Sequence, residues 1–287
     1  MRNYVFSTLP CDGWETEQLI QACQRYGLSG IEWRDRGSLA WIDPSAKQIW
    51  RQMTQSFEEG GVSIVGIGSS ICVKGDDRDR QHLASFRSIA EAAGIAGARG
   101  VRIFLGNFTR RFDDPREPLD QGAIVKWLQD ACNLAEAQGT SVWIETHNEY
   151  ATGRNLRGLL EEVGRPNCGI IYDIIHPLED GEAPEETIEL IGDRIMHVHI
   201  KDGTPWPDPI EHDWRYTRLG DGSVPLRRIC SLLDQRGYQG SYSLEWESKW
   251  RSELRGEGMA FEEVLGAYIP FMEQMFDSDL RKKEGQQ

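Results

Sequence analysis

The chain of 287 residues is long for one ordinary domain and suits a single closed α/β barrel. Hydrophobic residues make up 39% of it and charged residues 27%, a balance that supports a large core and excludes general disorder. The formal net charge of −14 argues against nucleic acid as a partner, because phosphate backbones are bound by clustered Lys and Arg.

The six cysteines are scattered along the chain, with no C-x-x-C pair. Such spacing is typical of buried thiols in a reducing compartment, and it disfavours a disulfide framework or a zinc knuckle. No apolar stretch approaches the length that spans a bilayer, and the first residues carry no apolar leader-like run. We therefore expect a soluble, cytoplasmic protein without a membrane partner.

Short apolar runs alternate with longer amphipathic stretches along the chain. The apolar runs predict strands at 3–8, 29–34, 62–68, 100–105, 141–147, 169–173, 195–201 and 241–246. The amphipathic stretches predict helices at 14–26, 44–59, 79–93, 119–138, 154–163, 184–191, 224–236 and 260–275. Eight β-then-α units close a parallel barrel, so the sequence predicts an α/β protein with a single-domain (β/α)8 TIM barrel fold.

Several predicted boundaries carry their own chemistry. Gly27 follows the first helix as a C-terminal cap, and Asp43 with Pro44 supplies an N-cap and a first-turn proline before the second. The barrel is expected to span 1–276, followed by a fraying polar tail at 277–287. The segment 202–223 is much longer than an ordinary βα loop, which favours a functional role over a tolerated insertion.

Ionisable side chains fall late in the last four predicted strands, where barrel enzymes carry their active sites. Because side chains alternate along a strand, those that share the inward register can be read from the sequence. They are Glu145 and His147 in the fifth strand, Asp173 in the sixth, His197, His199 and Lys201 in the seventh, and Glu245 and Glu247 in the eighth.

Burial of so many ionisable groups is costly unless they pair or bind a cation. Three carboxylates and one imidazole from four consecutive strands predict one divalent metal site on Glu145, Asp173, His199 and Glu245. Oxygen-rich ligation with one histidine favours Mn²⁺, with Mg²⁺ or Co²⁺ as alternatives, over Zn²⁺. A single acid or histidine at a strand end is more often a cap or a core residue, so the joint pattern carries the prediction. His197 lies deeper in its strand and fits a core role.

These motifs resemble those of the xylose isomerase-like TIM-barrel superfamily, the sugar phosphate isomerase/epimerase group. The resemblance covers nearly the whole chain, and its motifs are specific for the fold and the metal but not for the substrate. The segments that carry it are 30–34 (GIEWR), 143–148 (WIETHN), 171–177 (IYDIIHP), 197–202 (HVHIKD), 219–222 (LGDG) and 243–247 (SLEWE).

The resemblance implies roles for individual residues. The four predicted ligands match the metal-ligand positions of the family, and Glu145 and Glu245 match the glutamates that take and return the proton in its ketose epimerases. Positions that contact the substrate in this family correspond to His176, Lys201, Glu32, Arg34 and His147. Barrels of this group often associate through their outer helices, so a homo-oligomer is a further expectation.

The expected activity is a metal-dependent isomerisation or epimerisation of a small sugar or polyol, by proton abstraction beside a carbonyl through a metal-stabilised enediolate. The absence of a P-loop and of an arginine cluster favours an unphosphorylated substrate. The same site would serve a dehydratase or lyase of a keto-inositol, a dehydroshikimate-like acid or a 3-keto-glycoside, which is the main alternative.

Two other classes are weaker alternatives. The repair nuclease of this superfamily shares the D-x-x-H pattern of 173–176 but needs three metals, and the third-strand end at 67–71 offers no histidine. The other is a metal-free binding or regulatory barrel, which metal analysis of the purified protein would distinguish from a metalloenzyme.

Overall fold

The protein is described by a computed structural model that covers residues 2–34, 43, 45–108, 117–206 and 214–284, with side chains as far as Phe276. Over these residues the chain forms a closed barrel of eight parallel strands with helices between them, which confirms the predicted (β/α)8 fold. Pro44 and residues 207–213 of the predicted long loop lie outside the described residues.

All eight predicted strands are present. They are β1 (Asn3–Ser7), β2 (Gly30–Trp33), β3 (Ser63–Val73), β4 (Gly100–Leu105), β5 (Ser141–Glu145), β6 (Cys168–Asp173), β7 (Ile195–Ile200) and β10 (Ser241–Leu244), while β8 (Asp202–Pro205) and β9 (Trp214–Thr217) form a separate antiparallel pair. The barrel order is sequential, with β10 between β7 and β1. β3 runs past its predicted end, because an irregularity after Gly68 lets pairing with β4 resume at Cys72.

The predicted helices are also present among the described residues. They are α1 (Thr16–Tyr26), α2 (Lys47–Glu59), α3 (Asp79–Ala96), α4 (Gln121–Glu136), α5 (Gly153–Val163), α7 (Pro184–Ile191), α8 (Leu226–Gln235) and α9 (Phe261–Glu284). The short α-helix α6 (His176–Glu179), after β6, was not predicted. Gly27 ends α1 in the left-handed region at φ 75°, as expected of a C-terminal glycine cap. None of the described helices is both long and apolar enough to cross a bilayer.

Two predicted helix boundaries are wrong. α2 begins at Lys47 with Ala46 as its N-cap, because Asp43 instead accepts hydrogen bonds from the backbone N–H and hydroxyl of Ser45 and makes a local turn. The backbone of α9 continues to Glu284, so the helix enters the segment that polarity alone marked as a fraying tail. The polar composition is compatible with a helix whose stability comes from its earlier, packed turns.

A large aromatic side chain fills part of the barrel interior. Trp143 of β5 is buried and stacks on His197 at 5.4 Å between ring centroids. Gly66 on β3 and Gly100 on β4 provide the space, since a Cβ at either position would overlap the indole. Ionisable side chains occupy the part of the barrel interior that lies beyond Trp143, toward the carboxyl ends of the strands.

Candidate metal centre

The four predicted ligands meet at the carboxyl ends of adjacent strands. Glu145 and Asp173 are the last residues of β5 and β6, His199 lies in β7, and Glu245 directly follows β10. Each side chain is buried, at most 3% exposed. One ligand atom from each of the four lies within 4.8 Å of those of the others, so the structure brings together all four side chains that the sequence selected.

Nδ1 of His199 faces the three carboxylates. It lies 3.2 Å from Glu245 Oε2, 3.7 Å from Asp173 Oδ2 and 3.9 Å from Glu145 Oε1. Among the described residues, neither His199 Nδ1 nor Asp173 Oδ2 has a partner in hydrogen-bond geometry, although both atoms are buried and Asp173 Oδ2 lies 2.6 Å from Lys201 Nζ. Ligands of an ion such as Mg²⁺ at about 2.1 Å lie up to about 4.2 Å apart, so small adjustments would let these atoms hold one divalent cation.

The electrostatics of the site also suit a cation. Burial by itself would lower the pKa of His199, but Glu245 and Glu32 raise it well above its usual value. Burial would raise the pKa of Glu245, whereas His199 and Lys201 bring it well below its usual value. The carboxylates are therefore ionised at neutral pH, and their field favours positive charge between them.

The other imidazole nitrogen of His199 lies 2.9 Å from Glu32 Oε2. The same oxygen also lies 3.3 Å from His197 Nε2 and accepts a hydrogen bond from the hydroxyl of Ser243 at 3.1 Å. Burial opposes ionisation of Glu32, but the two histidines outweigh it and hold its pKa well below the usual value. Glu32 is thus tied to β7 and β10 inside the barrel.

The outer glutamates of the site are Glu145 and Glu245, the first and last of the four proposed ligands in barrel order. Each of them is paired with a buried arginine. Arg34 Nη1 donates to Glu245 Oε1 at 2.6 Å, and Arg102 Nη1 donates to Glu145 Oε2 at 2.7 Å. Arg34 reaches this position because Gly68 on β3 has no side chain, and a Cβ there would overlap the arginine. Each glutamate therefore has one oxygen on an arginine and the other directed toward His199.

Arg102 was missed by the sequence reasoning. It is the one charged residue of the apolar run at 100–105, and it is 2% exposed in the structure. Its register in the strand is the signal that could have found it. A lone arginine at an inward-facing position of a barrel strand needs a buried anion as its partner.

Lys201 shares the carboxylates of the centre. Its Nζ lies 2.6 Å from both Asp173 Oδ2 and Glu245 Oε2, and 2.5 Å from Glu247 Oε1. Burial would lower the pKa of this lysine, but Asp173 and Glu245 raise it well above its usual value. The ammonium group is therefore a permanent cation beside the predicted metal position.

Two further histidines lie beside the centre. His176 Nδ1 is 2.5 Å from the carbonyl oxygen of Thr146, which can only accept a hydrogen bond, so this nitrogen carries a proton. The ring of His147 packs edge-on against that of His176, with 4.5 Å between centroids. Burial, aided by His176, lowers the pKa of His147 to about 4, so this imidazole is neutral at physiological pH.

The described ends of the long segment after β7 form the β8–β9 hairpin. Tyr216 of β9 is 3% exposed and packs with its ring centroid 5.2 Å from Lys201 Nζ. The hairpin base is held by Asp202, whose carboxylate accepts hydrogen bonds from the backbone N–H groups of Gly203, Gly220, Gly222 and Val224. Part of this loop therefore covers the centre.

A parallel (β/α)8 barrel with a buried cluster of three carboxylates and one histidine at the carboxyl ends of its strands defines the class of this protein. The family model of the xylose isomerase-like TIM barrel matches residues 20–264. The chain belongs to this family, which confirms the resemblance found in the motifs.

Curated relatives include isomerases and epimerases. A fructoselysine 3-epimerase of Escherichia coli O157:H7 is 25% identical over 139 residues, which are 47% of this chain and 48% of the relative. The chain therefore matches about half the length of that relative. An inosose isomerase of Bacillus velezensis is 22% identical over 235 residues, 80% of this chain and 82% of the relative.

A solved structure with the same fold is that of a probable 3-DHS dehydratase, AsbF, from Bacillus anthracis. The two superpose with a TM-score of 0.71 at 18% sequence identity, over 92% of this chain and 96% of the other. At this identity the likeness shows the shared fold alone.

Proposed function

We propose that the protein is a divalent-metal-dependent isomerase or epimerase of a small sugar or polyol. The observation that carries this proposal is the convergence of the buried side chains of Glu145, Asp173, His199 and Glu245, with one ligand atom of each within 4.8 Å of the others. The names of the relatives, a fructoselysine 3-epimerase and an inosose isomerase, support the reaction class.

The metal that this donor set favours is Mn²⁺, with Mg²⁺ or Co²⁺ as alternatives and Zn²⁺ less favoured. Three carboxylates and one imidazole form a mostly hard donor set without a thiolate. When bound, the ion would act as a Lewis acid for the negative charge that develops on the substrate oxygens as a neighbouring C–H is deprotonated.

The two outer glutamates are the proposed proton carriers. Each holds one carboxylate oxygen against an arginine, Arg102 for Glu145 and Arg34 for Glu245. Burial would raise the pKa of Glu145, but Arg102 and His199 lower it below the usual value, so the residue is ionised and able to accept a proton. The carboxylate that accepts the proton then becomes an acid and can return it. For return on the opposite face, the other glutamate would first take a proton from solvent and then donate it.

The family resemblance implies substrate contacts at His176, Lys201, Arg34, His147 and Glu32, and we propose the first four as contacts. Lys201 Nζ lies among three carboxylate oxygens and would balance an oxyanion on the substrate. His147 is the neutral imidazole of the group and packs on His176, which suits hydrogen bonding to hydroxyl groups.

We place this activity in the cytoplasm, with a small polyhydroxy compound rather than nucleic acid or a membrane as partner. All six cysteines are free and buried, in keeping with a reducing compartment. The negative net charge supports the exclusion of nucleic acid.

The decisive experiment is incubation of the protein with Mn²⁺ and a panel of ketoses and keto-polyols in D₂O, followed by NMR. Deuterium uptake at one carbon together with a new stereoisomer or a shifted carbonyl supports the proposal. An enone absorbance with loss of water would favour the dehydratase alternative. Protein that holds no divalent metal and gains no activity with Mn²⁺, Co²⁺, Mg²⁺ or Zn²⁺ would overturn the metal-dependent mechanism.

A further inference from the structure

We infer that Glu32 is a positioning residue for the metal ligand His199: its carboxylate accepts the Nε2 proton, so that Nδ1 presents its lone pair to the metal centre. This inference rests on the metal centre of the proposed function. It gives Glu32 a role through His199, in place of the direct substrate contact that the family resemblance implies.

The geometry fixes which nitrogen carries the proton. Glu32 Oε2 lies 2.9 Å from His199 Nε2, and an ionised carboxylate can only accept a hydrogen bond. If the only ring proton were on Nδ1, two lone pairs would face each other at that distance. A proton must therefore sit on Nε2 in either charge state of the ring, and Nδ1, 3.2 Å from Glu245 Oε2, is the atom directed at the metal centre.

Glu32 is itself held in place by contacts with His197 and Ser243. His197 stacks on Trp143 with 12° between the ring planes and lies 3.3 Å from Glu32 Oε2 through Nε2. The hydroxyl of Ser243, on the strand next to His199, donates to the same oxygen at 3.1 Å. With three polar groups on one oxygen, the carboxylate cannot rotate away from His199 without the loss of buried hydrogen bonds.

A second cluster of neighbouring ligand-type side chains is Glu32, His197 and His199. Both imidazoles lie within hydrogen-bond distance of Glu32 Oε2, at 3.3 and 2.9 Å, and the hydroxyl of Ser243 donates to the same oxygen. We therefore assign this cluster as a hydrogen-bonded support beneath the metal position.

A carboxylate on the far nitrogen of a ligating histidine fixes the tautomer and raises the basicity of the metal-bound nitrogen. Removal of such a partner commonly lowers metal affinity by about 10–100-fold. Glu32, 1% exposed and linked to His199 across the barrel interior, fits this role. It also explains why a charged residue is retained at a depth where burial is costly.

The test combines NMR with metal binding, neither of which depends on turnover. In wild-type protein labelled with ¹⁵N-histidine, we expect His199 to show a downfield, exchange-protected Nε2–H proton, both with and without a diamagnetic divalent metal. In Glu32→Gln this proton should shift upfield, and the Mn²⁺ affinity from calorimetry should fall by about 10–100-fold.

The matched control is Glu182→Gln. Glu182 is also 1% exposed, but it accepts hydrogen bonds from Gly153, Arg154 and Thr187 between α5 and α7. Its loss should lower stability and leave Mn²⁺ affinity and the His199 resonance unchanged.

The outcomes separate this inference from the proposed function. Wild-type protein that binds no divalent metal defeats the proposed function, whereas the Nε2–H resonance still reports on the contact with Glu32. Wild-type affinity in Glu32→Gln, or a wild-type His199 protonated only on Nδ1, overturns the inference and leaves the metal centre standing. The second observation needs no variant, so it remains decisive if Glu32→Gln fails to fold.

Discussion

At the scale of single residues, the centre is a set of buried charges that balance one another. Four buried carboxylates, those of Glu32, Glu145, Asp173 and Glu245, face the permanent cations of three side chains, Arg34, Arg102 and Lys201. His199, whose pKa Glu245 and Glu32 raise well above its usual value, supplies a fourth positive charge. The proposed divalent cation would replace the Nδ1 proton of His199 between the carboxylates, so the charges stay compensated when it binds.

The first prediction concerns the proposed proton carriers. Glu145→Gln and Glu245→Gln each keep the shape of the side chain but remove the base and weaken metal ligation, so the turnover number should fall by at least about 10²–10⁴-fold. Turnover should be measured at saturating Mn²⁺, with circular dichroism to verify the fold. Glu161→Gln, an exposed residue of α5, is the control that should retain the wild-type rate. Substantial activity in both variants would contradict the acid/base assignment.

The second prediction concerns the cation that shares the metal's carboxylates. Lys201 Nζ lies 2.6 Å from oxygens of Asp173 and Glu245, so it repels a divalent ion placed between them. Lys201→Met should therefore raise Mn²⁺ affinity by roughly tenfold or more, since 1.4 kcal/mol of relieved repulsion corresponds to tenfold. The same change should reduce turnover, because the cation proposed to balance the substrate oxyanion is lost. Equal or weaker Mn²⁺ binding by calorimetry would show that Lys201 does not compete with the metal.

At the scale of elements, the strand ends other than that of β3 were predictable to within two residues, and the contacts between strands were not. The alternation of polar and apolar residues located Glu145 and Asp173 at the ends of β5 and β6, because both the period of a strand and the position of its end are local properties of the sequence. The contact of Glu32 with His199 spans β2 and β7, which are far apart in sequence, and depends on the width of the closed barrel. A single sequence contains no signal for that distance.

The third prediction tests how the strands leave room for Trp143. A Cβ on Gly100 would overlap the indole ring, so Gly100→Ala should destabilise the protein by about 1–3 kcal/mol through overpacking. Gly158, in the middle of α5, has no atom within 4 Å of a Cβ, and Gly158→Ala should stabilise by about 0.5–1 kcal/mol. The free energies of unfolding in urea measure both changes. Equal effects in the two variants would refute the packing argument.

At the scale of the whole molecule, the eight β-then-α units of the sequence predicted the fold class. The sequence predicted no secondary structure for the loop after β7. The sequence predicted only that segment 202–223 is long, and the structure shows that its described ends pair as the β8–β9 hairpin, which brings Tyr216 against Lys201. Hairpin pairing within a loop depends on tertiary contacts such as the four backbone hydrogen bonds of Asp202. Such contacts have no periodic signature.

The fourth prediction concerns the cysteines as reporters of the folded barrel. All six are buried, and burial raises the pKa of Cys23, Cys72 and Cys230 to about 12. Because the thiolate is the reactive form, the folded protein should resist iodoacetamide at pH 8, and all six thiols should react after denaturation. Mass spectrometry of the alkylated protein counts them. Rapid alkylation of any of these three in the folded protein would show that the barrel opens around it.

The fifth prediction links the proposed metal to global stability. The ligands come from β5, β6, β7 and the residue after β10, four neighbouring strands, so an ion held by all four binds the folded barrel and not the unfolded chain. By mass action, Mn²⁺ at 100 times its dissociation constant should add about 2.7 kcal/mol to the free energy of unfolding. For a protein of this size that corresponds to a rise in Tm of several degrees, at about 2–4 °C per kcal/mol. EDTA should reverse the shift, and Asp173→Asn should abolish it. A Tm that responds equally to Mn²⁺ in wild type and Asp173→Asn would place the ion elsewhere on the protein.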